Sequence, residues 1–417
     1  MSSLPLRSIR ILDLTMVVAG PYSTLVLADL GAEVIKIEGP SRWDPFRGPR
    51  APRGGHYHGG LEPPHAYNRS LQFNELNRHK LAITLDLSQP QGVRLFKGLA
   101  RISDVVLENY SPRVMGNFGL GYAALCKERP DIIMVSMPGY GSTGPYRDYV
   151  AHGPGVDAMS GMQWLTGHAD GLPLKAGGQY CDQTNGLTAA FAILTALFHR
   201  RRSGQGQHID VAMREASTQL IGEAFLAYSL TGRVPQRMGN DHPAQAPHGC
   251  YPCRGEDAWV TIAVGSDEEW DRFRRALGDP PWTRDSRFAT VLGRWQHRRE
   301  LDGHIAPWTR EREANDVMRL LQEAGVAAGR VNDSQAIVED PHLQQRDFFQ
   351  ATQHAQAGEN VHCSLPWKVS GQRPPMSRPA PCFGEHNSYV LGDLLGLSGA
   401  EVEALAADKV ISDEPLV

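Results

Sequence analysis

The sequence predicts an α/β protein built on a parallel, Rossmann-like sheet, with a smaller α+β domain beside it. Three observations carry this. Ile9–Leu14 and Glu33–Glu38 are short apolar runs separated by a helical pattern through Tyr22, Leu25, Leu27 and Leu30, which is a strand–helix–strand unit. Later runs, Leu81–Asp86, Asp104–Glu108 and Ile132–Met137, repeat the theme, and the last two run into loops rich in Gly, Pro and Asn. Composition then shifts after a proline-rich segment at 233–247, where 249–253 and 258–263 read as a hairpin.

Taken in order, Gly31 is the expected C′ residue of the first helix. The loop after the first strand lacks the Gly-x-Gly-x-x-Gly pattern, so no nicotinamide cofactor follows from the fold. Residues 39–72 form a long irregular stretch in which Arg47, Arg50 and Arg53 are candidates to meet phosphates, and Asn77–Lys80 is a second basic cluster. Gln91–Ala100 reads as a helix. Loops 15–21, 109–113 and 138–145 fall at the carboxyl ends of their strands, where open α/β sheets bind ligands. Gly153–Trp164 and Glu215–Thr231 read as helices, Trp270–Leu277 and Glu311–Ala324 as helices of the small domain with Trp259 and Trp270 in its core, and Asn387–Leu395 as a C-terminal helix. Residues 328–332 read as a strand returning to the first domain. The division expected is 1–234 for the first part of the large domain, 235–325 for the small domain and 326–417 for the return.

The stretch richest in chemistry is Gly171–Arg202. A glycine-rich loop, with Gly177 and Gly178, runs into Asp182 and then into an apolar, alanine-rich helix. Leu187, Phe191, Leu194 and Phe198 share a face, and the helix is expected to be buried. Asp182 reads either as an N-cap or as a nucleophilic carboxylate whose ionised form the helix terminus favours. Cys181 beside it is expected to keep its proton.

The 417 residues, 41% of them apolar, suffice for two or three cores, and the net charge of -4 gives no footprint for nucleic acid. The apolar run 187–198 is too short to span a bilayer. The six cysteines and the absence of an apolar leader segment predict free thiols in a reducing cytoplasm. Cys250-x-x-Cys253 has no second ligand pair, so no metal is expected.

In combination the motifs identify a family. Arg10-Ile-Leu-Asp-Leu-Thr15, Ala19-Gly-Pro21, Leu27–Glu38, Leu85-Asp-Leu87, Asp104–Asn109, Gly139–Pro145, Arg201–Gln207, Asp340-Pro-His-Leu343 and Gly384-Glu-His386 occur in an order that resembles the family III CoA-transferases of the CaiB/BaiF type. The resemblance implies a Rossmann-like large domain formed by both ends of the chain, an inserted smaller domain and an interlocked homodimer. It implies an acyl-CoA and a free carboxylic acid as substrates, with coenzyme A passing through as substrate and no permanently bound cofactor. Asp182 falls on the catalytic aspartate. Val17, Val18, Ala19, Asn109, Tyr110, Met137, Pro138, Gly139 and Tyr140 fall on the CoA-binding loops. Asn117 stands at a position where the family carries arginine, which leaves Arg113 as the candidate substitute, and Gly39 stands where some members carry arginine. The glycine run of oxalate-using members is missing from 239–249, so that specificity is not carried over.

A rival with the same fold is an α-methylacyl-CoA racemase working through His152 and Asp182, since a histidine suits proton transfer near neutrality. A plain helix-start role for His152, and a CoA-binding protein without catalysis, are the other readings. The oxyanion donors are left open between Gly177–Gly178 and Gly139–Tyr140.

Overall fold

In the computed structural model, residues 4–48 and 65–416 are described; Arg50 and Arg53 fall outside them. Six strands form one sheet: β1 Arg10–Asp13, β2 Glu33–Glu38, β3 Leu81–Thr84, β4 Val105–Glu108, β5 Ile133–Ser136 and β6 His208–Asp210. Their order is β3-β2-β1-β4-β5-β6 and every pairing is parallel. The chain therefore leaves β1 in one direction across the sheet and later returns to the other side of β1 with β4. This is the switch point at which such sheets open a crevice.

Strands β1, β2, β4 and β5 alternate their side chains between two cores, as period-two geometry demands. Leu12, Ile35, Ile83, Val106 and Met134 join one cluster with Phe96 and Leu99 of the Pro90–Arg101 helix. Ile11, Val34, Val105, Val135 and Ile133 join the other with Ala189, Ala190 and Ile193 of the Tyr180–Ser203 helix. Helices on both faces explain why the strands read as unbroken apolar runs. Near the C-terminus Val390, Leu391, Leu405, Val410 and Ile411 complete the first cluster.

The chain divides into two compact units. The first comprises Met1–Gln163, Lys175–Arg233 and Gln345–Val417; the second comprises Trp164–Leu174 and Val234–Gln344. The second unit thus extends past the expected 325 and takes in a short piece near 170. It holds an antiparallel sheet of β7 His248–Pro252, β8 Trp259–Ala263 and β9 Ala327–Arg330. Its core gathers Trp270, Phe273, Phe288, Leu301, Ile305 and Val317.

Several local expectations are corrected. β9 pairs with β8 inside the small sheet rather than returning to the large one. Trp259 is 36% exposed and donates to Asp257, so it is not core. The expected helix over 153–164 breaks at Gly161, which has φ of 93°. The expected helix over 215–231 is also broken, into Met213–Thr218, a 3₁₀ turn and Gly222–Thr231. The C-terminal helix is a π-helix over Tyr389–Leu394. The antiparallel pair β10 Phe349–His354 and β11 Gly358–Cys363 was not anticipated.

The Tyr180–Ser203 helix departs most from its expected burial. Its buried side is made of small residues, Asn185, Gly186, Ala189, Ala190 and Ala196, with Ile193. A Cβ at Gly186 would come to 2.5 Å from the Ala19 carbonyl oxygen, so only glycine lets this helix lie so close to the Ala19–Asp29 helix. Leu187, Phe191 and Phe198 point away and are 43%, 72% and 63% exposed in the single chain.

Candidate active site

The loops after β1, β4 and β5 meet the start of the Tyr180–Ser203 helix around a cavity of about 190 Å³. Val17, Val18 and Ala19, Asn109 and Tyr110, and Met137, Pro138 and Gly139 line it, with His152 and Asp182. Of the residues picked out by sequence, Arg113 and Tyr140 are not in its lining. Arg113 is largely exposed, with Asp148 at 3.8 Å. Tyr140 packs edge-on to Tyr146 and Tyr149. Met16, Ser111 and Pro112, within the marked loops 15–21 and 109–113, also line the cavity, as do Arg147, Tyr149, Val156 and Met213, which were missed. Only tertiary structure brings the missed four near.

Asp182 is the third residue of its helix and is 8% exposed. Gln179 occupies the N-cap position, so the capping reading of Asp182 fails. The carboxylate lies against Gly153 instead: a Cβ there would stand 2.2 Å from Oδ2 and 2.8 Å from Cγ. Gly153 begins the Gly153–Ser160 helix, with His152 as its N-cap residue and no capping bond from the imidazole. Gly139 performs a similar service one layer below. A Cβ on it would meet that of Ala151 at 2.1 Å, so its bareness lets segment 151–153 close onto the β5 loop.

The electrostatics of Asp182 reverse the expectation from the helix terminus. Burial raises its pKa to about 6, Asp157 adds repulsion, and His152 opposes the rise. The helix dipole favours the anion by a fraction of a kcal/mol at an exposed end, less than desolvation can remove. Asp157 is itself 7% exposed and accepts from the Cys181 thiol at 2.9 Å and from Gln163 Nε2 at 3.0 Å. Burial, then this bond to Asp157, push the Cys181 thiol up to about 12. The thiol beside the acid therefore stays protonated, as the sequence suggested.

The wall opposite is held by polar contacts. Asn109 Oδ1 accepts from the Met16 amide at 3.0 Å and Asn109 Nδ2 donates to the Met16 carbonyl at 2.8 Å. Its side chain thus bolts the β4 loop to the β1 loop. Tyr110 N donates to Glu108 Oε2 at 2.8 Å, and burial lifts Glu108 to about 7. The two oxyanion candidates differ in setting: Gly177 and Gly178 would have free space around an added Cβ, whereas Gly139 is packed.

Arg47, and Arg78 and Lys80 of the second basic cluster, are taken up by buried carboxylates. Arg47 is fully buried and binds Glu38 with two bonds of 2.9 Å and one of 3.0 Å. Lys80 is fully buried and donates to Asp13 at 3.0 Å, while Arg78 pairs with Asp29 at 2.8 Å. A larger cavity of about 680 Å³ adjoins the first, shares Met16, Tyr110 and Ser111 with it, and has Arg42 in its lining. Among the described residues no group of His, Cys, Asp and Glu could hold a metal ion, and no helix is long and apolar enough to cross a membrane.

Comparison with known proteins fits this arrangement. The family model described as CoA-transferase family III matches residues 6–387. Succinyl-CoA--D-citramalate CoA-transferase of Chloroflexus aurantiacus is 36% identical, covering 98% of each chain. Succinate--glutarate CoA-transferase of Agrobacterium fabrum is 34% identical over 94% of this chain and 96% of its own. A CaiB/BaiF family protein from Brucella suis, of known crystal structure, superposes with a TM-score of 0.84 at 30% identity, covering 94% of this chain and all of that one. With a family match over nearly its whole length, relatives named as CoA-transferases and a sheet of the same class, the chain belongs to CoA-transferase family III and is an enzyme of that transferase class.

Proposed function

We propose that this enzyme moves CoA from an acyl-CoA thioester to a free carboxylic acid through covalent intermediates on Asp182. The observation that carries the reading is the Asp182 carboxylate itself, buried at the switch-point cavity and pressed on Gly153. Burial makes it more basic than a surface aspartate, hence a stronger nucleophile once ionised. An Asp182 oxygen attacks the thioester carbonyl; the C–S bond breaks, giving an aspartyl–acyl anhydride and CoA thiolate. The thiolate attacks the aspartyl carbonyl and releases the donor acid as a carboxylate, leaving an aspartyl-CoA thioester. The acceptor carboxylate attacks that thioester, forming a new anhydride and thiolate again. Attack of the thiolate on the acceptor's acyl carbon yields its CoA thioester and restores Asp182. Splitting the exchange in this way avoids one difficult direct step.

The adjoining 680 Å³ cavity has the volume of a ligand pocket, and its position beside Met16, Tyr110 and Ser111 suits the nucleotide end of CoA. The loop residues Val17–Ala19, Asn109, Tyr110 and Met137–Gly139 would meet the thioester end. Arg113 and Tyr140, outside the cavity lining, have less support. Succinyl-CoA is the first donor to try, given the name of the Chloroflexus relative. A homodimer is supported by the exposed apolar faces of the Tyr180–Ser203 helix and of Gly222–Thr231, where Phe225, Leu226 and Leu230 are 47%, 60% and 76% exposed. Six free cysteines suit a reducing cytoplasm.

One observation favours a second reading. His152 lines the same cavity as Asp182, as a racemase acting through both would require. The test separates them. Enzyme quenched during turnover with succinyl-CoA and a panel of acids should carry a hydroxylamine-sensitive adduct on the Asp182 peptide by mass spectrometry. An unmodified peptide, together with exchange of the substrate α-proton in heavy water without any acceptor acid, would replace transfer by racemisation.

A further inference from the structure

The β1 loop, which lines the cavity together with Asp182, contains a conformation that its sequence does not favour. Val17 has φ of 70°, in the left-handed region. For a β-branched residue this is a genuine outlier, and such strain persists only where the surroundings over-determine it. The surroundings here are buried charges. Asp44 is fully buried, and its Oδ1 accepts from the Val17 amide at 3.1 Å. Its Oδ2 is held by Lys36 Nζ at 3.0 Å, and Lys36, also fully buried, donates to the Thr15 carbonyl at 2.8 Å. The Asp44 amide in turn donates to Glu38 at 3.1 Å, which fixes the direction of the whole group.

A buried ion pair is poor evidence for stability in itself, because two apolar residues of similar volume often serve as well. What an apolar pair lacks is an oxygen directed at a particular amide. We propose that Asp44, braced by Lys36, is a positioning residue that holds Val17 in its left-handed conformation and so sets the wall on which the acyl-CoA lies. The inference rests on the proposed role of the Val17–Ala19 loop in receiving acyl-CoA. Without the acceptor, Val17 relaxes to negative φ, which swings the peptides on either side and moves Met16 and Val18 along the cavity wall. Asp182, carried by a separate helix, keeps its place.

The measurement is steady-state transfer by the full-length enzyme with succinyl-CoA as donor, alongside thermal melts. Asp44→Ala should raise KM for the acyl-CoA about tenfold, about 1.4 kcal/mol, with kcat per folded molecule within about threefold of the parent. Asp44→Asn keeps an oxygen for the Val17 amide and should regain most of the lost affinity. Adding Val17→Gly to Asp44→Ala should also lower KM again, because glycine adopts positive φ without penalty. A merely structural Asp44 predicts the reverse pattern: fewer folded molecules, lower apparent kcat, unchanged KM and no relief from glycine. Unchanged KM in Asp44→Ala, or a double variant no better than the single, overturns the inference while leaving transferase activity intact. A parent enzyme that transfers no CoA overturns the reading of the loop and the inference with it.

Discussion

The two segments that flank Asp182 are built on opposite principles. On one side, Thr15–Ala19 are fastened by Asn109, Asp44 and Lys36, and Gly186 of the Asp182 helix sits hard against Ala19. On the other, the segment Lys175–Gln179, which with Gly153 and Asp182 lines a separate pocket of about 20 Å³, leads into the same helix with Gly177 at φ of 65° and open space about both glycines. One side is tightly fixed; the other is loosely packed. Pre-organisation on the fixed side is worth most where charge and geometry change during reaction.

Four substitutions probe that contrast. Asp182→Asn removes the proposed nucleophile and should lower kcat by about 10⁴-fold or more in a transfer assay. In the parent, kcat/KM should rise with pH through an inflection near 6, as Asp182 loses its proton. The same variant tests the cost of burial. A carboxyl whose pKa rises on folding destabilises the native state above its unfolded value near 3.8, fully so above about 6. Asp182→Asn should therefore melt higher than the parent at pH 7, and the gain should vanish below pH 4.

Gly153→Ala comes next, since its methyl would lie 2.2 Å from Asp182 Oδ2. Displacing the carboxylate by about 1 Å should cost about 10²-fold in kcat, with CoA binding retained. Gly186→Ala attacks the fixed side through packing. Its Cβ meets the Ala19 carbonyl at 2.5 Å, so overpacking should cost about 1–3 kcal/mol in denaturant unfolding. Gly177→Ala on the open side meets no neighbour and suffers only its left-handed backbone, which should cost about 1 kcal/mol and little activity. If Gly177→Ala proved as damaging as Gly153→Ala, the open side would have to be counted among the parts that set the chemistry.

Much of this was legible in the sequence because the physics involved is local. Strand cores covered on both faces leave apolar runs, and Gly31, with φ of 101°, is where a helix must end. The loops at strand ends identified most of the cavity, and Asp182 was found through its glycine-rich approach and family resemblance. What failed depended on partners distant in sequence. Arg47 looks like a phosphate ligand, and Arg78 and Lys80 like an exposed basic cluster, until Glu38, Asp29 and Asp13 are seen beside them. The stripe Leu187–Phe198 looks like core because periodicity reports amphipathy and not which side faces inward; close approach through Gly186 and the alanines decides that. The left-handed turn at Val17 leaves no trace in residue type at all.

The bond between Cys181 and Asp157 has a practical consequence at the bench. A thiol kept protonated to about pH 12 and almost closed off from solvent is a poor target for aromatic disulfides and alkylating agents. Inactivation by such a reagent would therefore point to another of the free cysteines, of which Cys363 is exposed, and not to the thiol beside Asp182.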